Sequence, residues 1–233
     1  MTLQEYRDKE QERLASNRRR LEEDGVIFKD IYSAYIDDEA VIEEGAVIAN
    51  NVTIEGKSVI HSGARIGQSS VVRDSEIGSG TTVEASYVLE STIGENTTVG
   101  PFAYIRPGNT IGNGCRVGDF VEMKNSTFGD GSKVSHLTYI GDSDVGRRVN
   151  LGCGIVFVNY DGSRKYRSTI HDDAFIGCNT NIISPVEVGE GAYVAAGTTL
   201  TQDVPADAFC IGRVRMEVKE NWVKKRKILK KDQ

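Results

Sequence analysis

Residues 93–123 read "IGENTTVGPFAYIRPGNTIGNGCRVGDFVEM", with an isoleucine, valine or methionine at every sixth position. An α-helix cannot produce this spacing, because six is not a multiple of its roughly 3.6 residues per turn, and a half-buried strand alternates at every second residue. A six-residue period is typical of hexapeptide repeats, in which short flat strands stack into a parallel β-helix. The stretch therefore predicts an all-β solenoid with aliphatic side chains filling a narrow interior.

The same period extends from Ile36 to Leu200, with a few shorter steps that we interpret as irregular corners. One such step is the four-residue step from Leu89 to Ile93, and this reading of the period places Leu89 in the interior. Three hexapeptides make one triangular coil, so these 200 − 36 = 164 residues correspond to roughly nine coils. A β-sandwich of short strands is the alternative, but it does not predict one period held over this length.

The N-terminal end lacks the period. Residues 3–24 contain many helix-forming residues and precede Gly25, a residue typical of helix ends. We expect an exposed helical arm over residues 1–30, followed by the β-helix domain over residues 31–213.

A basic tail is expected over residues 214–233. Its part from residue 219 to 232 holds seven Lys or Arg against two acidic residues, a local charge of 7 − 2 = +5. Charged tails are usually just solvated, and attraction of a phosphate-rich ligand is the functional alternative.

Composition excludes several classes of protein. The 233 residues carry a net charge of −6 with a pI near 5.2, which argues against general nucleic-acid binding. No apolar run approaches the roughly 20 residues of a membrane span, and the charged start "MTLQEYRDKEQERL" has no apolar core for a signal peptide. We expect a cytoplasmic protein that does not enter membranes.

Metal binding is not expected. The cysteines contain no CxxC pair and fit no zinc-finger spacing, so reduced thiols are predicted for Cys115, Cys153, Cys178 and Cys210. The three histidines include no close pair of the kind zinc sites use; they are His61, His136 and His171.

Polar residues that follow interior positions are candidates for a site. Arg106 and Lys124 follow Ile105 and Met123 and lie 124 − 106 = 18 residues apart, one coil, so they are expected to stack on one outer corner, with Tyr139 near that column. Two stacked cations suit a phosphate.

His136 follows in "SHLTYIGD". A neutral imidazole can accept a proton from an amine or a hydroxyl. The alternative is a corner histidine bonded to the backbone.

Between Phe157 and Ile170 the period is interrupted by "VNYDGSRKYR" (158–167), whose "NYDG" is a strong turn signal. We expect a loop leaving the solenoid. Such a loop is either a plain surface connection or a carrier of site residues, because loops on rigid scaffolds often hold sites.

Four segments together carry a family resemblance: "VGDFVEMKNS" (117–126), "VSHLTYIGDSDVG" (134–146), "VNLGCGIVFVNYDGSRKY" (149–166) and "AFIGCNTNIISPVEVGEGAYVAAGTTLTQDVP" (174–205). They closely resemble the acetyltransferase domain of the bacterial bifunctional N-acetylglucosamine-1-phosphate uridylyltransferase/glucosamine-1-phosphate N-acetyltransferase. The resemblance covers about residues 25–215. It implies a left-handed β-helix, a homotrimer, and acetyl transfer from acetyl-CoA to the amine of glucosamine 1-phosphate, a cell-wall precursor step.

The resemblance also implies roles for single residues. His136 falls on the catalytic base. The positions that hold the sugar phosphate fall on Arg106 and Lys124, and further sugar-site positions fall on Tyr139, Asn150 and Lys165. Acetyl-CoA contacts fall on Cys153, Asn159, Tyr160, Cys178, Ala196 and Arg213.

The chain departs from the family pattern in places. Many relatives have Ala at Cys153 and Ser at Cys178, and a thiol is a weaker hydrogen-bond donor than a hydroxyl. Nothing resembling the family's glycine-rich nucleotide loop occurs, so no uridylyltransferase activity is expected from this chain. Two alternatives stay open: an acyltransferase of the same fold acting on another amino sugar, and a non-catalytic trimeric paralogue.

Overall fold

The computed structural model describes residues 1–226, and these form a parallel β-helix with a helix at its N-terminal end. The chain visits three sheets in turn, so every third strand pairs in parallel with the one before it, and 30 short strands make about 30/3 = 10 turns. The predicted hexapeptide β-helix is confirmed.

Each sheet forms one side of the triangular solenoid. The first sheet, sheet A, contains β1 (Ile27–Phe28), β4 (Val47–Ile48), β7 (Arg65–Ile66), β10 (Thr82–Val83), β13 (Thr98–Val99), β16 (Arg116–Asp119), β19 (Lys133–His136), β22 (Asn150–Leu151), β25 (Phe175–Ile176), β28 (Tyr193–Val194) and β30 (Phe209–Cys210).

The other two sheets have ten and nine strands. Sheet B contains β2 (Tyr35–Ile36), β5 (Thr53–Glu55), β8 (Val71–Arg73), β11 (Tyr87–Leu89), β14 (Tyr104–Ile105), β17 (Glu122–Lys124), β20 (Tyr139–Gly141), β23 (Val156–Val158), β26 (Asn181–Ile183) and β29 (Thr199–Leu200). Sheet C contains β3 (Val41–Ile42), β6 (Val59–Ile60), β9 (Glu76–Ile77), β12 (Thr92–Ile93), β15 (Thr110–Ile111), β18 (Thr127–Phe128), β21 (Ser143–Val145), β24 (Ser168–Ile170) and β27 (Glu187–Val188).

The core is a stack of aliphatic side chains along the solenoid axis. Ile105, Met123 and Ile140 occupy equivalent positions on consecutive coils and are fully buried. Their neighbours in each strand point outward, so the sheet faces carry the polar and aromatic residues. Burial of this stack is the main favourable term in folding.

One interior assignment made from the sequence was wrong. Val88, not Leu89, pairs with Val72 and Ile105 and is fully buried in the stack. The chain makes two successive five-residue steps, Val83 to Val88 and Val88 to Ile93, instead of one step of six and one of four. Leu89 lies one residue beyond the stack and is 8% exposed.

The N-terminal helix α1 (Leu3–Glu22) is docked on one side instead of fully exposed. Thr2 caps it, and its Asn17 is fully buried, with the amide donating to the carbonyls of Ile31 and Ala34 at 3.0 and 2.9 Å. Arg20 donates to the carbonyl of Asp37 at 2.9 Å. Polar side chains thus tie α1 to the chain that begins the first coil.

The boundaries differ slightly from those predicted. β1 already pairs with β4, so the β-helix begins at Ile27 and not at residue 31. A short helix, α2 (Trp222–Arg226), lies in the predicted basic tail, and residues 227–233 of that tail lie outside the described residues. No helix within residues 1–226 combines the length and the apolar character needed to cross a membrane.

The interruption at residues 158–167 is an ordered loop, as predicted. Tyr160 and Lys165 form an antiparallel bridge, and the Asp161 carboxylate accepts the backbone N–H groups of Ser163 and Arg164, each at 2.7 Å. These two hydrogen bonds hold the pKa of Asp161 below its ordinary value. The loop is a small hairpin projecting from the end of β23.

Candidate active site

One corner of the solenoid, between sheets A and B, aligns several of the predicted site residues. We call these aligned residues the corner column; its members are Asp119, His136, Cys153, Cys178 and Ala196. The residue after each member donates its N–H to the carbonyl of the member on the preceding coil. Gly154 donates to His136 at 3.2 Å, and Asn179 donates to Cys153 at 2.8 Å.

The column brings the predicted base next to the predicted acetyl-CoA contacts. Arg213, at the C-terminal end, donates from its guanidinium to the Ala196 carbonyl and so joins the column. The Cys153 N–H has no hydrogen-bond partner within residues 1–226. A free N–H beside His136 is a donor available to a ligand.

His136 itself is half exposed, with its side chain 56% accessible. Its Nδ1 lies 2.5 Å from the Oδ1 of Asp119, the preceding member of the column. Within the described residues its Nε2 has no protein partner. The imidazole is therefore held at one nitrogen and open at the other.

The predicted cations come together on sheet B. Ile105 pairs with Met123, so Arg106 and Lys124 are neighbours on consecutive coils, and Lys165 reaches them from the loop. The adjacent Lys165 ammonium lowers the pKa of Lys124, Arg106 adds a smaller repulsion, and Asp142 acts in the opposite direction. We call these three cations (Arg106, Lys124 and Lys165) the cation cluster.

A carboxylate holds one of the three. Glu122 Oε1 lies 2.8 Å from Arg106 Nη1, and this hydrogen bond raises the pKa of the guanidinium above its ordinary value. Both side chains are more than one-third exposed, so the pair contributes little to stability. It fixes the direction of Arg106 while leaving donors free for an anion.

Tyr139 lies between the corner column and the cation cluster. It pairs with Glu122, whereas Gly141 pairs with Lys124, so Tyr139 is one outward position nearer the corner than the sequence predicted. A Cβ on Gly141 would overlap the Tyr139 hydroxyl and lie 2.9 Å from Asn159 Nδ2. Glycine at this position thus allows the two polar groups to converge.

A buried carboxylate anchors this region. Asp142 is 8% exposed and accepts hydrogen bonds from the amides of Asn125 and Asn159, both at 2.5 Å. Asn159 is 7% exposed, so its amide nitrogen is committed to Asp142. The start of the loop is therefore fixed to the coil that carries the cation cluster.

The other end of the loop is fixed as well. Arg167 grips Asp144 with two hydrogen bonds, at 2.5 and 2.6 Å, and donates to the Asn125 carbonyl at 2.9 Å. Because the guanidinium of Arg167 already donates to these acceptors, we assign it no catalytic role. Tyr160 stays 55% exposed on the loop.

Asn150 is the predicted sugar contact that the structure does not bring to the others. It starts β22 on the outer face of sheet A, paired with Lys133 and Phe175. The cation cluster lies on the outer face of sheet B, across the corner. In one chain these two faces point in different directions.

The thiols differ in exposure. Cys115 is buried, and this burial raises the pKa of its thiol. Cys178 is exposed and Cys153 partly exposed, both in the corner column. Within residues 1–226 no three His, Cys, Asp or Glu side chains are grouped closely enough to hold a metal ion.

Sequence reasoning missed Asp119, Glu122 and Asp142. Each is a carboxylate one coil away from a predicted site residue, at a separation of 16 or 17 residues. Those separations are the signal that would have found them. A spacing of 18 would have been the natural search, but five-residue steps shorten the coil to 17 at Asp119 and Asp142. Glu122, in contrast, lies two residues before Lys124, the one-coil neighbour of Arg106.

Comparison with known proteins extends these observations. The sequence model described as the GMPPB C-terminal domain matches residues 31–101, and the model of the bacterial transferase hexapeptide (six repeats) matches residues 90–125 and 167–202. The chain is 48% identical over 213 residues to the bifunctional protein GlmU of Clostridioides difficile and 52% identical over 207 residues to that of Clostridium botulinum. The chain is homologous to the C-terminal half of GlmU.

The alignments with GlmU cover 90% and 89% of this chain but 46% and 45% of those relatives. A third GlmU, from Clostridium novyi, is 49% identical and covers 94% of this chain and 48% of its own length. The chain thus spans about half the length of the GlmU proteins that it matches. The corner column, the cation cluster and the loop all lie inside the matched half.

Among solved structures, an Arabidopsis UDP-N-acetylglucosamine acyltransferase shares the fold, with a TM-score of 0.52 and 15% identity. The superposition covers 75% of this chain and 68% of that one. At this identity the likeness concerns the fold alone, whereas the GlmU alignments extend to the residues of the site.

Proposed function

We propose that this chain transfers the acetyl group of acetyl-CoA to the amine of glucosamine 1-phosphate, giving N-acetylglucosamine 1-phosphate and CoA. The observation that carries the proposal is the arrangement on one corner: an open imidazole nitrogen at His136, with a cluster of three cations on the adjoining face. We place the reaction in the cytoplasm, on the way to a cell-wall precursor.

The spacing suits a phosphorylated amino sugar. Tyr139 and Gly141, the strand neighbour of Lys124, lie two residues apart along β20, which is about 7 Å at about 3.3 Å per residue. A sugar whose phosphate sits on the cation cluster would extend past Tyr139 toward the corner column, where we place its amine. Two lysines and an arginine provide the charge for a phosphate dianion.

The chemistry follows from the open nitrogen. The neutral amine attacks the thioester carbonyl, and His136 Nε2 takes the proton that the nitrogen loses as the new N–C bond forms. The C–S bond then breaks, and CoA leaves as its thiol with the proton that His136 returns. A positioned general base of this kind is worth about 10²–10⁴ in rate.

The tetrahedral intermediate carries a negative oxygen. The unpartnered N–H of Cys153 lies on the coil next to His136, and we assign it the hydrogen bond to this oxygen. The Cys153 and Cys178 thiols need no nucleophilic role, because the thioester is already activated. Acetyl-CoA then extends along the column past Cys178 and Ala196 toward Arg213, with Asn159 and Tyr160 on its loop side.

Asn150 supports a site shared between chains. Its face of the solenoid points away from the cation cluster, so a sugar held there meets the Asn150 of a second copy instead. Exposed apolar side chains beside the corner column provide a surface for that copy; they are Phe102, Phe120 and Leu137, 59%, 56% and 61% exposed. A homotrimer is the closed cyclic arrangement of this kind that we propose.

The reaction is tested with purified chain, acetyl-CoA and a panel of acceptors. The panel contains glucosamine 1-phosphate, glucosamine 6-phosphate and unphosphorylated glucosamine, and the readouts are released thiol and product mass. We expect turnover that strongly favours glucosamine 1-phosphate. Preference for another amino sugar would assign a different substrate, and no turnover with any acceptor would contradict the proposal.

The shared site is tested by mixing inactive chains. Coexpressed Lys124→Ala and Asn150→Ala chains form mixed trimers in which some sites contain both native residues, so activity should exceed that of either parent. Lys124→Ala mixed with Lys165→Ala is the matched control, because both residues belong to one cation cluster in one chain. Equal behaviour of the two mixtures would contradict a shared site.

A further inference from the structure

The contact between Asp119 and His136 is produced by an extension of the strand pairing. β16 and β19 each have four residues, and their pairing continues past the interior Val117 and Val134 to Asp119 opposite His136. Both backbones are thereby fixed at the corner. The side chains meet outside the core, with Oδ1 and Nδ1 2.5 Å apart.

This carboxylate has no evident structural task. Within the described residues the side chain of Asp119 makes no other hydrogen bond, and it is 36% exposed. Its removal would open no cavity in the core. An exposed contact of this type also contributes little to stability.

The other two histidines show what distinguishes His136. His61 is bound at both ring nitrogens, 2.9 Å from Glu43 and 2.9 Å from Glu76, so neither nitrogen is free to act as a base. His171 contacts Glu187 at 2.5 Å through Nε2. Of the three, His136 is the one held through Nδ1 alone, and its Nε2 has no protein partner within the described residues.

We propose that Asp119 is the positioning residue of the catalytic base: it holds the Nδ1–H tautomer of His136 and balances the positive charge that the ring gains with the amine proton. This inference rests on the proposed acetyl transfer for its kinetic consequence. A neutral imidazole donates from one nitrogen and accepts at the other. A carboxylate that takes the Nδ1 proton therefore leaves the lone pair on Nε2, which is the arrangement a general base needs.

Two substitutions test the role. Asp119→Asn removes the charge, and its amide N–H can donate to Nδ1 and so hold the Nε2–H tautomer, whereas Asp119→Ala leaves Nδ1 without a side-chain partner. Loss of the partner that orients a metal-ligating histidine typically costs about 10–100-fold in activity, and we expect a loss of at least that order here. We expect kcat to fall in both variants, with KM for both substrates nearly unchanged. Glu187→Gln, in the remote His171 pair, is the matched control and should leave kcat at the wild-type value.

The tautomer is measured without the reaction. Magic-angle-spinning NMR of protein labelled with ¹⁵N-histidine, recorded over a series of pH values, distinguishes the Nδ1–H, Nε2–H and doubly protonated forms of the ring. The difference between wild type and His136→Ala gives the His136 signals. We expect Nδ1–H in wild type and a shift toward Nε2–H in both Asp119 variants.

The outcomes are distinct. An active wild type with unchanged kcat in Asp119→Ala, or an unchanged His136 tautomer in that variant, overturns the inference. A raised KM with intact kcat also overturns it, because that assigns Asp119 to substrate binding. If wild type shows no acetyl transfer, the proposed function fails, while the NMR comparison still decides whether Asp119 holds the tautomer.

Discussion

The ammonium groups of Lys124 and Lys165 lie side by side, although 165 − 124 = 41 residues separate them in the chain. Lys124 ends a strand of sheet B, and Lys165 reaches it from the loop that interrupts the hexapeptide period. Two neighbouring cations repel each other, and the proximity of Lys165 lowers the pKa of Lys124. A bound phosphate would relieve that repulsion.

The lowered pKa of Lys124 gives a pH-dependent prediction. Because Lys124 binds an anion only in its charged form, affinity for the sugar phosphate should fall as the pH rises through this lowered value. Lys165→Gln removes the main cause of the shift, so the alkaline loss should move to higher pH, even though affinity at neutral pH is weaker. The measurement is the KM for glucosamine 1-phosphate from pH 7 to 10.

The matched control is Lys57→Gln, an exposed lysine on a distant corner of the solenoid. It should leave the KM and its pH profile unchanged. If the KM rises at the same alkaline pH in Lys165→Gln as in wild type, Lys165 does not control the pKa of Lys124.

Asp142 is predicted to matter for both stability and function. Asp142→Ala leaves the amide of the buried Asn159 without its acceptor, and an unmade hydrogen bond of a buried donor costs about 1–3 kcal/mol. We expect Tm to fall by about 2–4 °C for each kcal/mol, and KM for acetyl-CoA to rise as the loop loses its anchor. Calorimetry and steady-state kinetics measure the two effects.

Glu190→Ala is the comparison for that experiment. Glu190 is an exposed carboxylate, and substitutions at such positions usually change stability by less than about 0.5 kcal/mol. If Asp142→Ala were as mild as Glu190→Ala in both readouts, the anchoring role of Asp142 would be excluded.

The sequence predicted the solenoid because the interior is one-dimensional: each buried position repeats after six residues, and aliphatic residues mark it. It failed at Leu89, because Val88 and Leu89 are both apolar and only the five-residue corners decide which one enters the stack. Because those corners shorten a coil, a search for residues one regular coil away from His136 does not find Asp119.

The candidate site was accessible from the sequence only in part. The spacing of Arg106 and Lys124 predicted their stacking, since both follow interior residues on neighbouring coils. The position of Lys165 beside them depends on how the loop folds back, which no period encodes. Asn150 was expected to contact the sugar, but it lies on the outer face of sheet A, which one chain does not bring to the cation cluster.

The cysteines of the corner column give a test of where acetyl-CoA binds. Cys178 is exposed and should react with iodoacetamide, and saturating acetyl-CoA should slow that reaction severalfold by covering the column. Cys115 is buried and its pKa is raised, so it should stay unmodified in both conditions. Peptide mass spectrometry follows each thiol.

Two outcomes of the labelling would count against the proposed path of acetyl-CoA. One is equal modification of Cys178 with and without acetyl-CoA. The other is protection by glucosamine 1-phosphate alone, which would assign the column to the sugar. Cys178→Ser should remain active, because a hydroxyl donates a hydrogen bond at least as well as a thiol.

The central claim, that His136 is the base of an acetyl transfer, is tested most directly by the turnover of His136→Ala with acetyl-CoA and glucosamine 1-phosphate. Since a general base contributes about 10²–10⁴ in rate, kcat should fall by that factor, while calorimetry shows both substrates still bound and the oligomer stays intact. Near-normal turnover by an intact His136→Ala protein would contradict the account.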